Sequence, residues 1–294
     1  MRDTKKIGKV VKGVGGKYTV YCDGVKCVCY ARKKVKYFYD DIVVGDDVEF
    51  EQDGKICAIN KILPRKNFLK RPAVSNVDAV FAIVSSLPAP DFLLIDKIIA
   101  NCNKQGVALD LVINKTDIVP DKFFIDAQEQ YADLVNGIIT VSTFTGEGIS
   151  TLKAAIAGKT VCFAGQSAVG KTSILNALLP NLNKPTGELS SKTDRGKHTT
   201  RHNEIYPLKD GGFVVDTAGF SLYELTDVES DQLALYYDDL YALLKDCRFN
   251  MCTHTTEPDC AVKKAVEQGK LSKRRYDRYV ELYNELRRQE KEKF

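Results

Sequence analysis

No apolar run in the chain approaches the roughly 20 residues that a bilayer-spanning helix needs, so no membrane partner is expected. The opening Met-Arg-Asp-Thr-Lys-Lys lacks the apolar core of a signal peptide, and the cytoplasm is the expected location. Cysteine is too thinly spread for a secreted disulfide scaffold, with nine residues scattered over 294. Reduced thiols with one metal site fit better. Cys22, Cys27, Cys29, Cys57, Cys102 and Cys162 read as small buried apolar residues. Histidine is scarcer still: His198, His202 and His254 are the only three, and each falls in a polar stretch. No internal repeat or low-complexity tract is present, which excludes a solenoid.

What remains is an ordinary globular composition, 44% hydrophobic and 28% charged, in a chain long enough for two or three domains. The net charge of +4 hides an uneven distribution. Residues 1–70 carry 16 Lys/Arg against 9 Asp/Glu, residues 71–260 carry 16 against 24, and residues 261–294 carry 11 against 6. Two basic ends around an acidic centre suit a polyanionic partner as well as they suit solvated faces.

Residues 5–63 read as short β-rich segments separated by Gly15-Gly16, Asp23-Gly24, Gly45-Asp46 and Asp53-Gly54. Five strands in so short a span predict a small closed barrel, an OB fold ahead of an SH3-like barrel. Arg32-Lys33-Lys34 with Lys36, Tyr37, Phe38 and Tyr39 mixes cations and aromatics as a nucleic-acid-binding face does. Pro64-Arg65-Lys66-Asn67 and Arg71-Pro72 read as a linker. Beyond it, apolar runs at Val77–Val84, Leu109–Ile113, Gly137–Val141 and Thr160–Ala164 alternate with helical spacing, and two further strands follow at 202–208 and 212–216. This predicts a doubly wound α/β domain with ligands at the strand carboxyl ends. After Ser221 the chain reads as helical, and Tyr276, Tyr279, Val280, Tyr283 and Leu286 form an apolar stripe with arginines around it. The expected division is a barrel over 1–66, an α/β domain over 67–228 and a mostly helical domain over 229–294.

Gly165-Gln166-Ser167-Ala168-Val169-Gly170-Lys171-Thr172-Ser173 matches G-x-x-x-x-G-K-[ST] between an apolar strand and a helix. Its glycines let the backbone wrap phosphates, and its N–H groups face the anion. Lys171 can reach the β- and γ-phosphates, and the Thr172 hydroxyl can ligate Mg²⁺. Asn114-Lys115-Thr116-Asp117 follows a strand and has the N-x-x-D spacing of guanine recognition. A carboxylate at Asp117 accepts from guanine N1–H and N2–H₂, and adenine lacks that donor pair. Ser142 and Thr143 follow the next strand and resemble a second base loop. Asp216-Thr-Ala-Gly219 ends a strand, with Asp216 placed for Mg²⁺ and the Gly219 N–H for the γ-phosphate. In Gly196-Lys-His-Thr-Thr200, Thr200 ahead of Thr199 is the candidate to close on Mg²⁺. GTP or GDP and Mg²⁺ are therefore the expected ligands. The base motifs precede the phosphate loop, the reverse of the usual order, so the fold is a circularly permuted P-loop GTPase domain. The segment after Gly219 then runs directly into the C-terminal part, which loops sensing the γ-phosphate can pull.

Where many GTPases place a water-orienting glutamine, this chain has Phe220. Slow intrinsic turnover, accelerated by a docked partner, is expected. His198 is the candidate for positioning the attacking water, and contact with RNA or solvent is the equal alternative. Lys171, Thr200 and His198 make up the catalytic set. Cys247, Cys252, His254 and Cys260 supply three thiolates and an imidazole within 14 residues, a closed tetrahedral set for one structural Zn²⁺.

Asn114-Lys-Thr-Asp117, Gly165–Ser173, Gly196-Lys-His-Thr-Thr200, Asp216-Thr-Ala-Gly-Phe220, Cys247 to Cys260 and the following Arg275-Tyr276 together resemble the circularly permuted, ribosome small-subunit-dependent GTPase A family of bacteria (RsgA, also called YjeQ or YloQ). The resemblance covers nearly the whole chain. It implies a monomer that binds 16S rRNA through its end domains, hydrolyses GTP on the small ribosomal subunit during late maturation, and leaves. Two positions depart from the family: Ala218 stands where proline is usual and Ala168 where glycine is usual. Alanine at 168 fits the loop without strain only at negative φ. The competing reading is a nucleotide-gated RNA-binding module whose hydrolysis is incidental, and turnover measured with and without small subunits separates the two.

Overall fold

The computed structural model describes residues 5–38, 41–53, 56–70, 72–118, 120–185, 203–209, 211–216, 225 and 227–292. Strands β1 (Lys6–Val14), β2 (Lys17–Cys22), β3 (Val25–Ala31), β4 (Asp47–Asp53) and β5 (Ile56–Ile62) pair in the order β1-β2-β3-β5-β4. β4 returns to β1, which closes the ring, and the result is the five-stranded OB barrel rather than an SH3-like one. The alternation seen in the sequence puts Val10, Val20, Cys29, Val48, Phe50 and Ile59 inside.

Two features here were not read from the sequence. Lys33 and Lys34 open a short helix, α1 (Lys33–Phe38), between β3 and β4. Consecutive cations have no two-residue alternation to hold them in a ladder. The second lies between and beyond the two linker stretches. β6 (Phe68–Lys70) and β7 (Ala73–Ser75) form a hairpin that buries Leu69 and Val74 between barrel and central sheet. Arg65 clamps its base, donating to the fully buried Asp46 at 2.6 and 2.8 Å, and Asp46 also accepts from the Ser75 hydroxyl at 2.6 Å.

The central sheet contains β8 (Ala79–Val84), β9 (Ala108–Asn114), β10 (Gly137–Val141), β11 (Thr160–Ala164), β12 (Glu204–Pro207) and β13 (Phe213–Asp216), in the order β10-β9-β8-β11-β13-β12. The first five are parallel and β12 is antiparallel. Every residue of β8 and of β11 is buried, as parallel strands covered on both faces must be. α2 (Phe92–Gln105) and α3 (Asp121–Tyr131) cover one face; α4 (Ile149–Ile156) and α5 (Lys171–Leu178) cover the other. The order reverses between β8 and β11, which opens a crevice at their carboxyl ends. β12 also bridges to β1 at Lys12 and Glu204, so barrel and α/β domain share one eleven-stranded sheet.

The C-terminal part holds α6 (Asp238–Tyr241), α7 (Ala261–Glu267) and α8 (Lys273–Glu292) around a core that includes Ala100 of α2. Of the predicted stripe on α8, Tyr279 and Leu286 are buried, while Tyr276, Val280 and Tyr283 are partly covered. Arg275, expected at the rim, is instead buried. It donates to Asp96 of α2 at 2.5 Å and to Asp239 at 3.0 Å, with its guanidinium 4.6 Å from the Tyr237 ring centre. Arg278 also reaches Asp96 and donates to the Tyr131 hydroxyl at 3.0 Å. Among the described residues, no helix is long and apolar enough to cross a membrane.

Candidate functional site

The crevice at the carboxyl ends of β8, β9, β10 and β11 gathers the sequence motifs. The 165–170 loop leaves β11 and enters α5. Gly165 has φ +132°, and a Cβ there would stand 2.2 Å from the Ile83 carbonyl oxygen of β8. Gly170 has φ +98°, and a Cβ there would meet Asn114 Nδ2 at 2.2 Å. Only glycine satisfies both demands.

The second contact links the two motifs. Asn114, fully buried at the end of β9, donates from Nδ2 to the Val169 carbonyl at 2.8 Å. Lys115, at φ +63°, donates from Nζ to the Ala168 carbonyl at 2.9 Å and to the Leu87 carbonyl at 2.6 Å. Residues 50 and more apart in the chain thus form one wall. Ser142, buried after β10, donates to Asp117 Oδ1 at 2.6 Å and accepts from the N–H groups of Phe144 and Thr145. This fixes the Asp117 carboxylate while leaving that residue exposed, and Thr143 lies half-buried beside it. Asn114 Oδ1 and Thr116 Oγ1 are buried without a partner, two polar atoms that a ligand with donor groups would satisfy.

Lys171 opens α5 and donates from Nζ to the carbonyls of Gly165 and Gln166, each at 2.6 Å. Burial pulls its pKa down to about 8, against the opposing pull of the Asp216 carboxylate. Thr172 and Ser173 follow on the half-buried first turn of the helix, and Ser167 at the loop tip is exposed. The Gln166 side chain is engaged by the loop between β8 and α2. Its Oε1 accepts from Asp91 N at 2.6 Å, its Nε2 donates to the Ala89 carbonyl at 2.8 Å, and Asp91 caps α2. Ala168 has φ +65°, so the condition under which alanine fits without strain is not met. The loop turns left-handed there, a conformation that costs an alanine about 1–2 kcal/mol relative to glycine.

Asp216, at the end of β13, pairs with Lys184, whose ammonium also lies 4.8 Å from the Tyr206 ring centre. A lone lysine in a polar stretch reads as a solvated side chain, and the sequence carried no sign of this role. Thr172 and Asp216 offer a hydroxyl and a carboxylate, a donor set suited to a hard cation such as Mg²⁺. His198, Thr199, Thr200, Ala218, Gly219 and Phe220 lie outside the described residues.

In the C-terminal part, the ligand atoms of Cys247, Cys252, His254 and Cys260 all fall within 4.8 Å of one another. His254 Nδ1 is 3.6 Å from Cys247 Sγ and 3.4 Å from Cys260 Sγ. The Ala261 N–H, at the start of α7, points at Cys247 Sγ at 3.4 Å. Tyr276 and Tyr279 of α8 hold the loop by donating to the carbonyls of His254 and Thr253 at 2.8 and 2.7 Å. Burial pushes the Cys252 thiol up to about 12 and pulls His254 down. Three sulfurs so close together ionise only with a cation among them, and the set fits Zn²⁺.

A family model described as RsgA GTPase matches residues 62–226. A protein of Agathobacter rectalis named small ribosomal subunit biogenesis GTPase RsgA is 38% identical over 97% of this chain and 99% of its own length. One of the same name from Ruminiclostridium cellulolyticum is 37% identical over 96% and 94%. Among solved structures, YjeQ from Thermotoga maritima is similar with a TM-score of 0.84 and 34% identity, covering 96% of this chain and 99% of that one. YloQ, described as a circularly permuted GTPase, gives 0.79 and 30%, covering 97% and 96%.

Proposed function

The chain belongs to the RsgA GTPase family, and from that premise we propose that it hydrolyses GTP as an assembly factor of the small ribosomal subunit, binding 16S rRNA and turning over when docked. The observation that supports the nucleotide half is the joint between the two loops, Asn114 to Val169 and Lys115 to Ala168, because a base-reading group and a phosphate-wrapping backbone acting on one nucleotide need to share one crevice.

In this reading Asp117, held by Ser142, accepts from guanine N1–H and N2–H₂. Asn114 and Thr116 meet the base with the polar atoms left unpartnered in the wall, and Thr143 lines the base loop. The N–H groups of 165–173 cradle the phosphates, and Lys171 leaves its two carbonyls to pair with phosphate oxygen. Thr172 and Asp216 would hold Mg²⁺, which supplies charge neutralisation between the phosphates. Thr200 and the Gly219 N–H belong to the γ-phosphate end, and His198 orients water. Zn²⁺ on Cys247, Cys252, His254 and Cys260 is structural, because all four ligand positions are protein groups. The protein acts as a cytoplasmic monomer.

Steady-state GTP turnover with and without purified small subunits tests the proposal. Stimulation that weakens steeply as salt rises is the expected result. Equal turnover with and without subunits would overturn it.

A further inference from the structure

A cavity of about 420 Å³ opens at the far end of α5 from Lys171, away from the crevice. Its walls are apolar: Leu178, Leu182, Tyr206, Pro207 and Leu208. Its rim carries Lys26 from the barrel, Lys153 from α4 and Lys209 beyond β12. Among the described residues none that lines the cavity is acidic, and no carboxylate pairs with these three lysines. An apolar chamber of this size ringed by three uncommitted ammonium groups suits a flat apolar body attached to several negative charges.

A second observation says what that body is. Lys26 lies on β3, whose outward side chains in register are Lys26, Val28 and Tyr30, opposite Tyr21, Thr19 and Lys17 of β2. Val28 and Tyr30 are 55% and 44% exposed. The strip carries lysines at both ends and one exposed ring, Tyr30, because Tyr21 packs edge-on against Phe213; it lies on the β2–β3 face of an OB barrel, the face on which such barrels lay single strands, and its Lys26 lines the cavity. A peptide with acidic residues would match the lysines but would leave the alignment of this barrel face with the cavity unexplained.

We propose that the cavity receives one unstacked base of a single-stranded RNA segment that runs along β2 and β3, with the flanking phosphates on Lys26, Lys153 and Lys209. The inference rests on the small-subunit reading, which supplies RNA as the partner.

The test is binding of a single-stranded RNA octamer carrying 2-aminopurine at an internal position to the full chain. Wild type is expected to change the probe's fluorescence. Converting the three lysines to glutamine is expected to weaken binding about tenfold or more and to reduce the slope of log affinity against log salt by about 2. Leu208→Trp, which fills the chamber, should remove the fluorescence change while GDP affinity stays at the wild-type value, a check that the fold is intact. Unchanged RNA affinity in the lysine variant overturns the proposal. An unchanged fluorescence response in Leu208→Trp overturns base insertion. Loss of binding to an acidic peptide but not to RNA assigns the cavity to protein and overturns it too. Because the octamer contains no subunit, failure of subunit-stimulated turnover is read separately from failure here.

Discussion

Ala168 and Lys171 show what a phosphate-binding loop costs its own fold. The alanine sits at φ +65°, so Ala168→Gly should stabilise the protein by about 0.5–1 kcal/mol, the strain relief net of glycine's extra chain entropy, as a higher midpoint in urea unfolding. Lys171 is held charged in a buried position, with a pKa drawn to about 8. The unfolded chain therefore binds the extra proton between about pH 8 and 10.5, and stability contributed by this group rises with pH across that window. The charged form binds phosphate, so GDP affinity should fall over the same window. Lys171→Met should abolish nucleotide binding, remove this pH dependence and raise the unfolding midpoint. A midpoint unchanged or lowered in that variant would show that the buried charge is not a burden. The glycines and Lys171 were legible because spacing alone carries the motif. Lys184 was not, since its partner Asp216 is 32 residues away and nothing local marks the pair.

The helix α2 ties the crevice to the C-terminal part. Its capping Asp91 bonds Gln166 of the loop, and one turn further on Asp96 receives Arg275 and Arg278 of α8. Asp96 is fully buried, so Asp96→Ala leaves Arg278 without its carboxylate and Arg275 with Asp239 alone. The expected loss is about 3–5 kcal/mol, measurable as a lower urea midpoint. Helical periodicity located both helices and their apolar faces, but it assigned the charged residues to solvent by type. Partners nearly 180 positions apart are invisible to any local pattern. The hairpin of β6 and β7 was missed for a related reason. Its few apolar residues, Leu69 and Val74, form no run, and they find a core only because barrel and sheet meet there. If Cys247, Cys252, His254 and Cys260 hold Zn²⁺ as proposed, its chelation should loosen Tyr276 and Tyr279 from the 253–254 carbonyls, seen as faster amide exchange in 247–260. GDP affinity should stay within about twofold, because none of these residues reaches the crevice.

Across the whole molecule, the barrel and the α/β domain meet through a row of side chains. Lys12 of β1 pairs with Glu204 of β12 at 3.1 Å, Glu204 accepts from the Tyr206 hydroxyl at 2.9 Å, and Glu204 is the register partner of Asp216. The sequence reading put the coupling in the segment after Gly219; this row adds a second connection, from the barrel to the carboxylate assigned to Mg²⁺. Glu204→Gln should leave turnover without subunits nearly unchanged and lower subunit-stimulated turnover about tenfold, within the usual range of site-to-site coupling. Equal losses in both would mean that Glu204 serves the crevice alone. The order of domains and the reversed motifs were readable along the chain, but the shared sheet was not, because a single bridge from β1 to the four-residue β12 leaves no periodic trace.

That bridge has a consequence for anyone who shortens the protein. β12 is the last strand of the α/β sheet, and β1 is what hydrogen-bonds to its outer edge. Val11 of the same strand plugs the core beside it. A version lacking the barrel would present a raw strand border and an uncovered apolar seam to its neighbours, and it would clump rather than report on an isolated nucleotide-binding unit.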